Sequence, residues 1–186
     1  GKHVFVEKPL CLTETELIEI AEIYNPTPDP RSPTPVLMVG YNRRFSPLIQ
    51  LVKKEFGDGP MALTYRVNAG AIPKDSWIQD PGVGGGRIIG EVCHFVDTLS
   101  FLAGSSPIFV YANAMDDPNK LNDTLNITLT YQNGSIGTIS YLANGNKSLA
   151  KERIEVFAHG ATAIIDDFKE LIIYSGGKKK KKKLNS

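Results

Sequence analysis

The stretch DPGVGGGRIIGEVCHFVDTLSFLAG, residues 80–104, decides the fold of this chain. Its three consecutive glycines, Gly84–Gly86, favour a backbone turn because glycine weakens the interior of helices and strands. Apolar residues then recur at intervals of three and four, which predicts a helix with one buried face over about residues 87–103. These residues are Ile88, Ile89, Val92, Cys93, Val96, Leu99 and Leu102. Gly104 predicts the end of the helix.

The predicted helix also carries Glu91, His94 and Asp97, each three residues from the next. Residues three apart are neighbours on a helix surface, so either acid could contact His94. Burying such groups without partners is costly, and the row therefore needs an explanation. Two explanations stay open: a structural histidine held by a carboxylate, or a general acid/base that a carboxylate orients. A metal site is not predicted, because the other histidines are distant in sequence.

Length and composition indicate a globular protein with one domain and part of a second. The chain has 186 residues, of which 41% are hydrophobic and 22% are charged, values typical of soluble domains. It contains no apolar run long enough for a transmembrane helix, and no signal peptide is recognisable. Cys11 and Cys93 lie in apolar surroundings, which favours reduced core thiols. We therefore expect a cytoplasmic protein without a membrane partner.

The distribution of charge argues against a specific nucleic-acid partner. The chain has 21 basic and 20 acidic residues, but six of the basic residues form a single run, Lys178–Lys183. The rest of the chain is acidic on balance and has no spread of basic residues that could follow a phosphate backbone. The lysine run could bind RNA or anionic lipid, although such runs are more often solvated. We expect a solvated loop or frayed end here.

The first forty residues predict a fragment of a parallel sheet. Residues 3–7 favour a strand, Thr13–Glu16 form a capping box for a helix to about Tyr24, and residues 36–41 favour a buried strand. Five prolines in residues 25–35 predict an extended connection between them. Strand, helix and strand in this order indicate a βαβ unit. Such a unit cannot bury both faces alone, so we expect most of its sheet to lie outside this sequence.

The remainder of the chain changes to short strands separated by turns. Ser46-Pro47 predicts the start of a helix that runs to about Phe56, and residues 61–68 favour a strand. After the central helix, the strand-like segments are residues 107–115, 123–131, 135–143, 152–158, 161–167 and 170–175. Asn133-Gly134 is a strong hairpin signal. Consecutive hairpins predict an antiparallel sheet with the two helices on one face, which is an α+β fold.

Three segments together resemble the Gfo/Idh/MocA family of nicotinamide-dependent oxidoreductases. They are Glu7-Lys8-Pro9 after the first strand, Gly40-Tyr41-Asn42-Arg43-Arg44-Phe45, and the glycine turn and helix with His94 and Asp97. The resemblance implies an open-faced, mainly antiparallel sheet like that of dihydrodipicolinate reductase and glyceraldehyde-3-phosphate dehydrogenase. It implies a C-terminal remnant of a Rossmann domain at residues 1–42 and a substrate-binding and oligomerisation domain at residues 43–177. A lysine-rich tail, residues 178–186, would follow.

The resemblance also implies roles around a nicotinamide. Glu7, Lys8 and Pro9 would contact NAD or NADP, and Pro9 would follow a cis peptide bond. The Lys8 ammonium would hydrogen-bond the reacting hydroxyl and favour an alkoxide as the hydride leaves. The glycine-rich dinucleotide turn of the family would precede this sequence. We therefore do not expect this chain alone to bind the cofactor tightly.

His94 would accept the proton, and Glu91 or Asp97 would set its orientation and basicity. The family usually has an aspartate four residues before this histidine, where the chain has Gly90. Glu91 is displaced by one position, a rotation of about 100° around the helix, and whether it replaces the aspartate stays open. Three further residues would contact the substrate: Arg44, Asn68 and Trp77.

These roles predict an NAD(P)-dependent oxidoreductase that transfers a hydride at a hydroxyl or carbonyl carbon of a sugar or related polyol. Its small-molecule partner would be carbohydrate-like. The alternative is a non-catalytic homo-oligomerisation or binding domain derived from the same fold. In both cases we expect a homodimer or tetramer through the sheet, because helices on one face leave the other face for a partner.

Overall fold

The computed structural model describes residues 2–24, 35–80, 82–116 and 122–184. Its N-terminal unit contains strand β1 (Val4–Val6), helix α1 (Glu14–Tyr24) and strand β2 (Leu37–Val39). Strands β1 and β2 pair in parallel, so the predicted βαβ unit is confirmed. Residues 25–34 of the predicted proline-rich connection lie outside the described residues.

The predicted capping box determines where α1 begins. Glu16 Oε2 accepts hydrogen bonds from the backbone amides of Leu12 and Thr13 at 2.8 and 3.1 Å. The Glu16 amide in turn donates to Thr13 Oγ1 at 3.2 Å. These bonds satisfy amides at a helix start that have no partner within the helix.

The second unit is a mixed sheet. Its strands are β3 (Ala62–Asn68), β4 (Pro107–Ala114), β5 (Leu125–Tyr131), β6 (Ile136–Leu142), β7 (Glu152–Ala158), β8 (Ala161–Asp166), β9 (Glu170–Ser175) and β10 (Lys178–Lys183). Within the described residues, the strand order is β10-β9-β8-β7-β3-β6-β5-β4. Strands β3 and β6 are parallel, and the other neighbouring pairs are antiparallel. The predicted α+β fold with a mainly antiparallel sheet is therefore confirmed.

Helices α2 (Pro47–Phe56) and α3 (Cys93–Ala103) share one hydrophobic core with this sheet. Alternate residues of the strands enter that core, as the period of two requires; in β5 they are Leu125, Ile127, Leu129 and Tyr131. The helices contribute fully buried side chains, among them Leu48, Ile49, Val52, Phe95 and Leu99. Among the described helices, none is long and apolar enough to cross a bilayer.

The central helix begins differently from the prediction. Residues Ile88–Val92 form a π-helical turn, and α3 follows it. Gly90 lies in this turn, and a Cβ on it would lie 3.7 Å from the Gly84 carbonyl oxygen, so the glycine turn packs against the start of the helix. A π turn holds one residue more than an α turn, which changes the side-chain directions before His94. The predicted end at Gly104 is confirmed, with φ at 64°.

The prediction of a loop or frayed end for the lysine run is wrong. Lys178–Lys183 form β10, which pairs with β9 along its whole length. Glu170 lies beside the run, with its carboxylate 2.6 Å from Lys181 Nζ and 3.9 Å from Lys183 Nζ. Lysine charges are common on sheet edges, where they prevent pairing with a further strand. The backbone bonds to β9 stabilise this strand although lysine has no preference for one.

Arg43 connects the N-terminal unit to the large sheet. Its Nε and Nη2 atoms donate to the two carboxylate oxygens of Glu152 at 2.9 and 2.7 Å. The Tyr65 hydroxyl also donates to this carboxylate. The guanidinium lies 4.9 Å from the centroid of the Phe95 ring. Arg43 therefore contacts α3 and two strands at once.

Arg44 makes the corresponding connection to α3. Its Nε and Nη2 atoms both donate to the Asp97 carboxylate, with Nε 2.9 Å from Oδ2. Its guanidinium lies 5.4 Å from the centroid of the Phe101 ring. The two neighbouring arginines thus bind different elements, the sheet and the helix, from one 3₁₀ turn, Arg43–Phe45.

We predict that Arg43→Leu lowers the free energy of unfolding by about 3–5 kcal/mol, because it leaves the Glu152 carboxylate buried without its cation. Urea unfolding followed by circular dichroism measures this loss. The control is Arg153→Leu, since the Arg153–Glu155 pair is partly exposed and should contribute about 1 kcal/mol or less. Equal losses in the two variants would contradict the prediction.

Candidate active site

The carboxyl end of β1 brings Lys8 to the first turn of the central helix. The Lys8–Pro9 peptide bond is cis, as the resemblance implies. Lys8 Nζ donates a hydrogen bond to the Gly90 carbonyl oxygen at 2.5 Å. Residues that are 82 positions apart in sequence therefore meet where the two units join.

His94 lies on the same helix and is almost entirely buried, with 6% of its surface exposed. Its Nδ1 atom has no hydrogen-bond partner among the described residues. The imidazole packs edge-on against Tyr41, with ring centroids 6.1 Å apart. Burial, followed by the charges of Arg43 and Lys8, lowers the pKa of His94 to about 4. The ring is therefore neutral at pH 7 and able to accept a proton.

Neither predicted acidic partner hydrogen-bonds His94 in the described part of the chain. Asp97 binds Arg44 through both of its oxygens. The Glu91 carboxylate accepts a hydrogen bond from the Tyr141 hydroxyl at 3.1 Å. Glu91 acts in the predicted direction and raises the pKa of His94, but burial and the two cations outweigh it. That one of these acids orients His94 stays a prediction.

Glu91 belongs instead to a polar cluster beside the π turn. Besides Tyr141, its carboxylate lies 3.6 Å from Lys151 Nζ and 3.9 Å from Arg87 Nη2. Burial, followed by the Glu91 charge, raises the pKa of the Tyr141 hydroxyl well above its ordinary value. Arg87 is buried, and its Nη1 donates to the Gly70 carbonyl at 2.7 Å. This cluster fixes the Glu91 side chain one turn before His94.

The three predicted substrate contacts have different surroundings. Arg44 is bound to Asp97, and the buried Asn68 donates through Nδ2 to the carbonyls of Asn146 and Leu149 at 2.7 and 3.1 Å. Both residues therefore have structural partners. Trp77 is 67% exposed, and its ring remains available to a ligand.

Trp77 nevertheless lies close to the helix start. It opens a short 3₁₀ turn, Trp77–Gln79. A Cβ on Gly84 would lie 2.5 Å from the Trp77 carbonyl oxygen, so this turn rests directly on the glycine turn. The glycine turn in turn packs against Gly90. The structure thus brings Trp77 towards the turn that Lys8 contacts.

Sequence reasoning missed most of the polar partners. Arg43 stands within a quoted motif, but its partners Tyr65 and Glu152 lie in strands without a distinctive pattern. The same holds for Tyr141 and Lys151 beside Glu91. A buried arginine directly before an apolar helix, Arg87, was the one available signal. The other pairings join residues that are distant in sequence, so no local spacing predicts them.

The residues that meet here fit the reacting end of a nicotinamide cofactor. The ligand side of a parallel sheet is the carboxyl end of its strands, and Lys8 lies there, bound to the turn that precedes His94. The buried His94 Nδ1 has no hydrogen-bond partner among the described residues. Gly40, at the end of β2, lies next to Glu7: a Cβ on Gly40 would be 3.1 Å from Glu7 Oε2. The Gly84–Gly86 turn leads into the central helix, but the element before it is the 3₁₀ turn Trp77–Gln79 and not a strand.

Metal binding has no comparable support. In the part of the chain that the structure describes, no group of three or more histidine, cysteine, aspartate or glutamate residues could hold an ion.

Comparison with known proteins gives a consistent result. The family model described as the GFO/IDH/MocA C-terminal domain matches residues 55–164. An uncharacterised oxidoreductase of Bacillus subtilis is 27% identical over 175 residues, which cover 89% of this chain and 49% of that protein. A myo-inositol 2-dehydrogenase of Thermotoga maritima is 25% identical over 184 residues, covering 92% and 52% respectively. The chain thus spans about half the length of these curated relatives.

Solved structures support the fold. A levoglucosan dehydrogenase in complex with NADH superposes with a TM-score of 0.76 at 19% sequence identity. The match covers 99% of this chain and 54% of that one. At this identity the likeness concerns the fold alone.

We predict that His94 makes the free energy of unfolding depend on pH. Because its pKa is lowered from 6.5 to about 4, the unfolded chain takes up this proton more readily than the folded chain. Stability should therefore fall as the pH decreases from 6.5 towards 4, by an amount on the order of 2 kcal/mol. Urea titrations across this range measure it.

The control is His94→Gln, which removes the titrating imidazole while the carboxylates of the chain still titrate. The difference between the two proteins should shrink as the pH decreases. A difference that is constant from pH 7 to pH 4 would contradict the lowered pKa.

Proposed function

The chain belongs to the GFO/IDH/MocA C-terminal domain family, and on that basis we propose that it is the substrate-binding and catalytic portion of an NAD(P)-dependent oxidoreductase. The proposed substrate is a sugar or related polyol. The observation that carries the proposal is the Lys8–Gly90 hydrogen bond, which places an ammonium beside the helix of His94. The myo-inositol 2-dehydrogenase relative supports a polyol substrate.

In the proposed reaction, His94 accepts the proton of the substrate hydroxyl. The imidazole is neutral at pH 7, as a proton acceptor requires. The Lys8 ammonium stabilises the negative charge that develops on the hydroxyl oxygen. When bound, the nicotinamide supplies the hydride acceptor, and Glu7, Lys8 and Pro9 are the residues proposed to hold its reacting end.

Lys8 has a second effect in this proposal. Its positive charge is one of the causes that lower the pKa of His94. The same ammonium would therefore stabilise the alkoxide and keep the neighbouring imidazole unprotonated. Glu91 and Asp97 remain the candidates for orienting the imidazole, and they would act on it without a direct hydrogen bond.

We predict that Lys8→Ala and His94→Ala each lower kcat of the complete enzyme by about a hundredfold or more, the usual scale for a positioned acid or base. Cofactor affinity should change much less, because the phosphates are bound elsewhere. Steady-state kinetics with NAD and NADP, together with calorimetric cofactor titrations, measure both quantities. Lys54→Ala is the matched control, since Lys54 is exposed on α2. Wild-type kcat in the His94 variant would contradict the proposal.

Glu91→Gln and Asp97→Asn separate the two candidate acids. The variant that removes the orienting carboxylate should lower kcat and shift the acid limb of the pH–rate profile, because a nearby negative charge raises the imidazole pKa. The other variant should leave that limb unchanged. If neither variant moves it, neither acid acts on His94 during catalysis.

We also propose that copies of the chain associate through the sheet. Strand β4 supports this, because all of its residues are exposed in the single chain. It carries four consecutive large apolar side chains, Ile108, Phe109, Val110 and Tyr111, each at least 60% exposed. An apolar strand at a sheet edge is a common site of pairing between chains. The edge at β10 carries six lysines instead, which repel a second copy.

We predict a dimer or larger assembly at tens of micromolar protein, measured by sedimentation equilibrium. Phe109→Lys should shift the chain towards monomer, because it places a charge in the apolar contact. Val83→Lys is the control, since Val83 is similarly exposed at 64% but lies in a loop. A monomeric wild-type chain would exclude the association. An assembled chain whose complete protein shows no effect of Lys8 or His94 would favour the non-catalytic oligomerisation domain.

A further inference from the structure

A polar cleft lies next to Glu91, whose carboxylate contacts Lys151 in its lining. Its volume is about 550 Å³, which is within the usual range for a small-molecule site. The lining residues are Asn68, Ala69, residues 147–151, Asp167 and Lys169.

The loop that carries Lys147 and Lys151 is held by hydrogen bonds at several points. Asn68 Nδ2 donates to the Asn146 and Leu149 carbonyls, as described above, and Arg66 Nη1 donates to the Ala150 carbonyl at 2.8 Å. Gly145 makes the close approach possible, because a Cβ on it would overlap Asn68 Oδ1. Asn146 Oδ1 also accepts a hydrogen bond from the Ser148 backbone amide at 2.9 Å. The loop backbone is therefore pre-organised, which lowers the entropic cost of binding.

The stem of Lys147 is positioned as well. A Cβ on Gly70 would lie 2.6 Å from Lys147 Cγ and 2.7 Å from its Cε, so the stem runs along the Gly70 backbone. Gly70 has φ at 68° and is itself held through the Arg87 bond to its carbonyl. Within the described residues, the Lys147 ammonium has no hydrogen bond or ion pair. Its charge faces the cleft uncompensated.

Positive charge dominates the cleft. Three of the lining residues are lysines, Lys147, Lys151 and Lys169, and one is an acid, Asp167. Asp167 is already paired with Lys169 at 2.6 Å. Among the described residues, the one ion-pair contact of Lys151 is that to Glu91 at 3.6 Å, and its side chain is 46% exposed. This excess is notable because most of the chain outside Lys178–Lys183 is acidic on balance.

The cleft adjoins the candidate active site through the Lys151–Glu91 contact. Lys151 approaches Glu91, the residue after the Gly90 carbonyl that binds Lys8, and three residues before His94. We propose that this cleft binds an anionic group, a carboxylate or a phosphate, of the substrate, with Lys147 and Lys151 as the residues that select it. The proposal rests on the oxidoreductase function above and narrows its substrate class from polyols in general to acidic sugars or sugar phosphates.

The chemistry of the lining residues suits such a group. Lysine ammonium groups bind carboxylate and phosphate oxygens as point charges, and charge-assisted hydrogen bonds are stronger than neutral ones. The Ser148 side chain lines the same cleft and adds a neutral donor. A neutral polyol would leave Lys147 without a partner and would gain little from this surface.

Three sugars test the proposal on the isotopically labelled chain: glucose, glucuronate and glucose 1-phosphate. Two-dimensional NMR titrations should show shifts at Asn68 and residues 146–151 with one or both anionic sugars and none with glucose. Comparing the affinities for glucuronate and glucose 1-phosphate shows whether the cleft prefers a carboxylate or a phosphate. Lys147→Ala and Lys151→Ala should each weaken binding by about tenfold or more, the loss expected for one charge-assisted bond.

Lys54→Ala is the control and should leave the affinity unchanged, since Lys54 does not line the cleft. All three lysines are at least partly exposed, so the variants should fold, and their NMR spectra verify it. Binding of glucose as tight as that of the anionic sugars, or anion binding that survives both cleft variants, would overturn the proposal.

The outcome is separable from that of the proposed function. If the complete enzyme oxidises a neutral polyol while the cleft binds neither anionic sugar, the substrate class is wrong and the oxidoreductase function stands. If the cleft binds an anionic sugar but the complete enzyme reduces neither NAD nor NADP with any sugar, the function fails and the anion site stands.

Discussion

The rest of the structure depends on two adjacent arginines that each bind a carboxylate in the interior. Arg43 joins Glu152 of β7 and Arg44 joins Asp97 of α3, both through two donors. A carboxylate of this kind is tolerated in the interior only when it is fully paired, and two-point contacts also fix the orientation of the partners. Because both arginines lie directly after the N-terminal unit, their pairing sets where β1 and β2 end relative to the central helix.

This arrangement also determines the protonation of the candidate site. Arg43 lies close enough to His94 to lower its pKa, and Lys8 acts in the same direction. The two cations therefore help to hold the elements together and also keep the buried imidazole neutral at pH 7. Glu152 and Glu91 oppose this effect but are themselves paired with cations or hydroxyl donors. Because each carboxylate is paired, it raises the pKa of His94 less than an unpaired carboxylate would.

Much of the fold was predictable because it follows from local patterns. The apolar spacing over the helix Cys93–Ala103, the Gly104 stop, the Asn133-Gly134 turn and the alternation in the later strands each act over a few residues, and each is confirmed. The exceptions are the π turn at Ile88–Val92 and strand β10. The glycine turn packs against the first of these and β9 pairs with the second, so neighbours in space produce them rather than local preference.

The sequence by itself determined which chemical groups the candidate site offers: an ammonium at Lys8, an imidazole at His94 and carboxylates at Glu91 and Asp97. Only the tertiary structure decided their partners. Asp97 binds Arg44 across 53 residues, Glu91 meets Tyr141 across 50, and Arg43 reaches Glu152 across 109. The physical reason is that the ionisation and orientation of a buried group depend on the charges around it in space. Helical spacing shows which side chains could meet His94, but competition from distant arginines, a tyrosine and a lysine determines which bonds form.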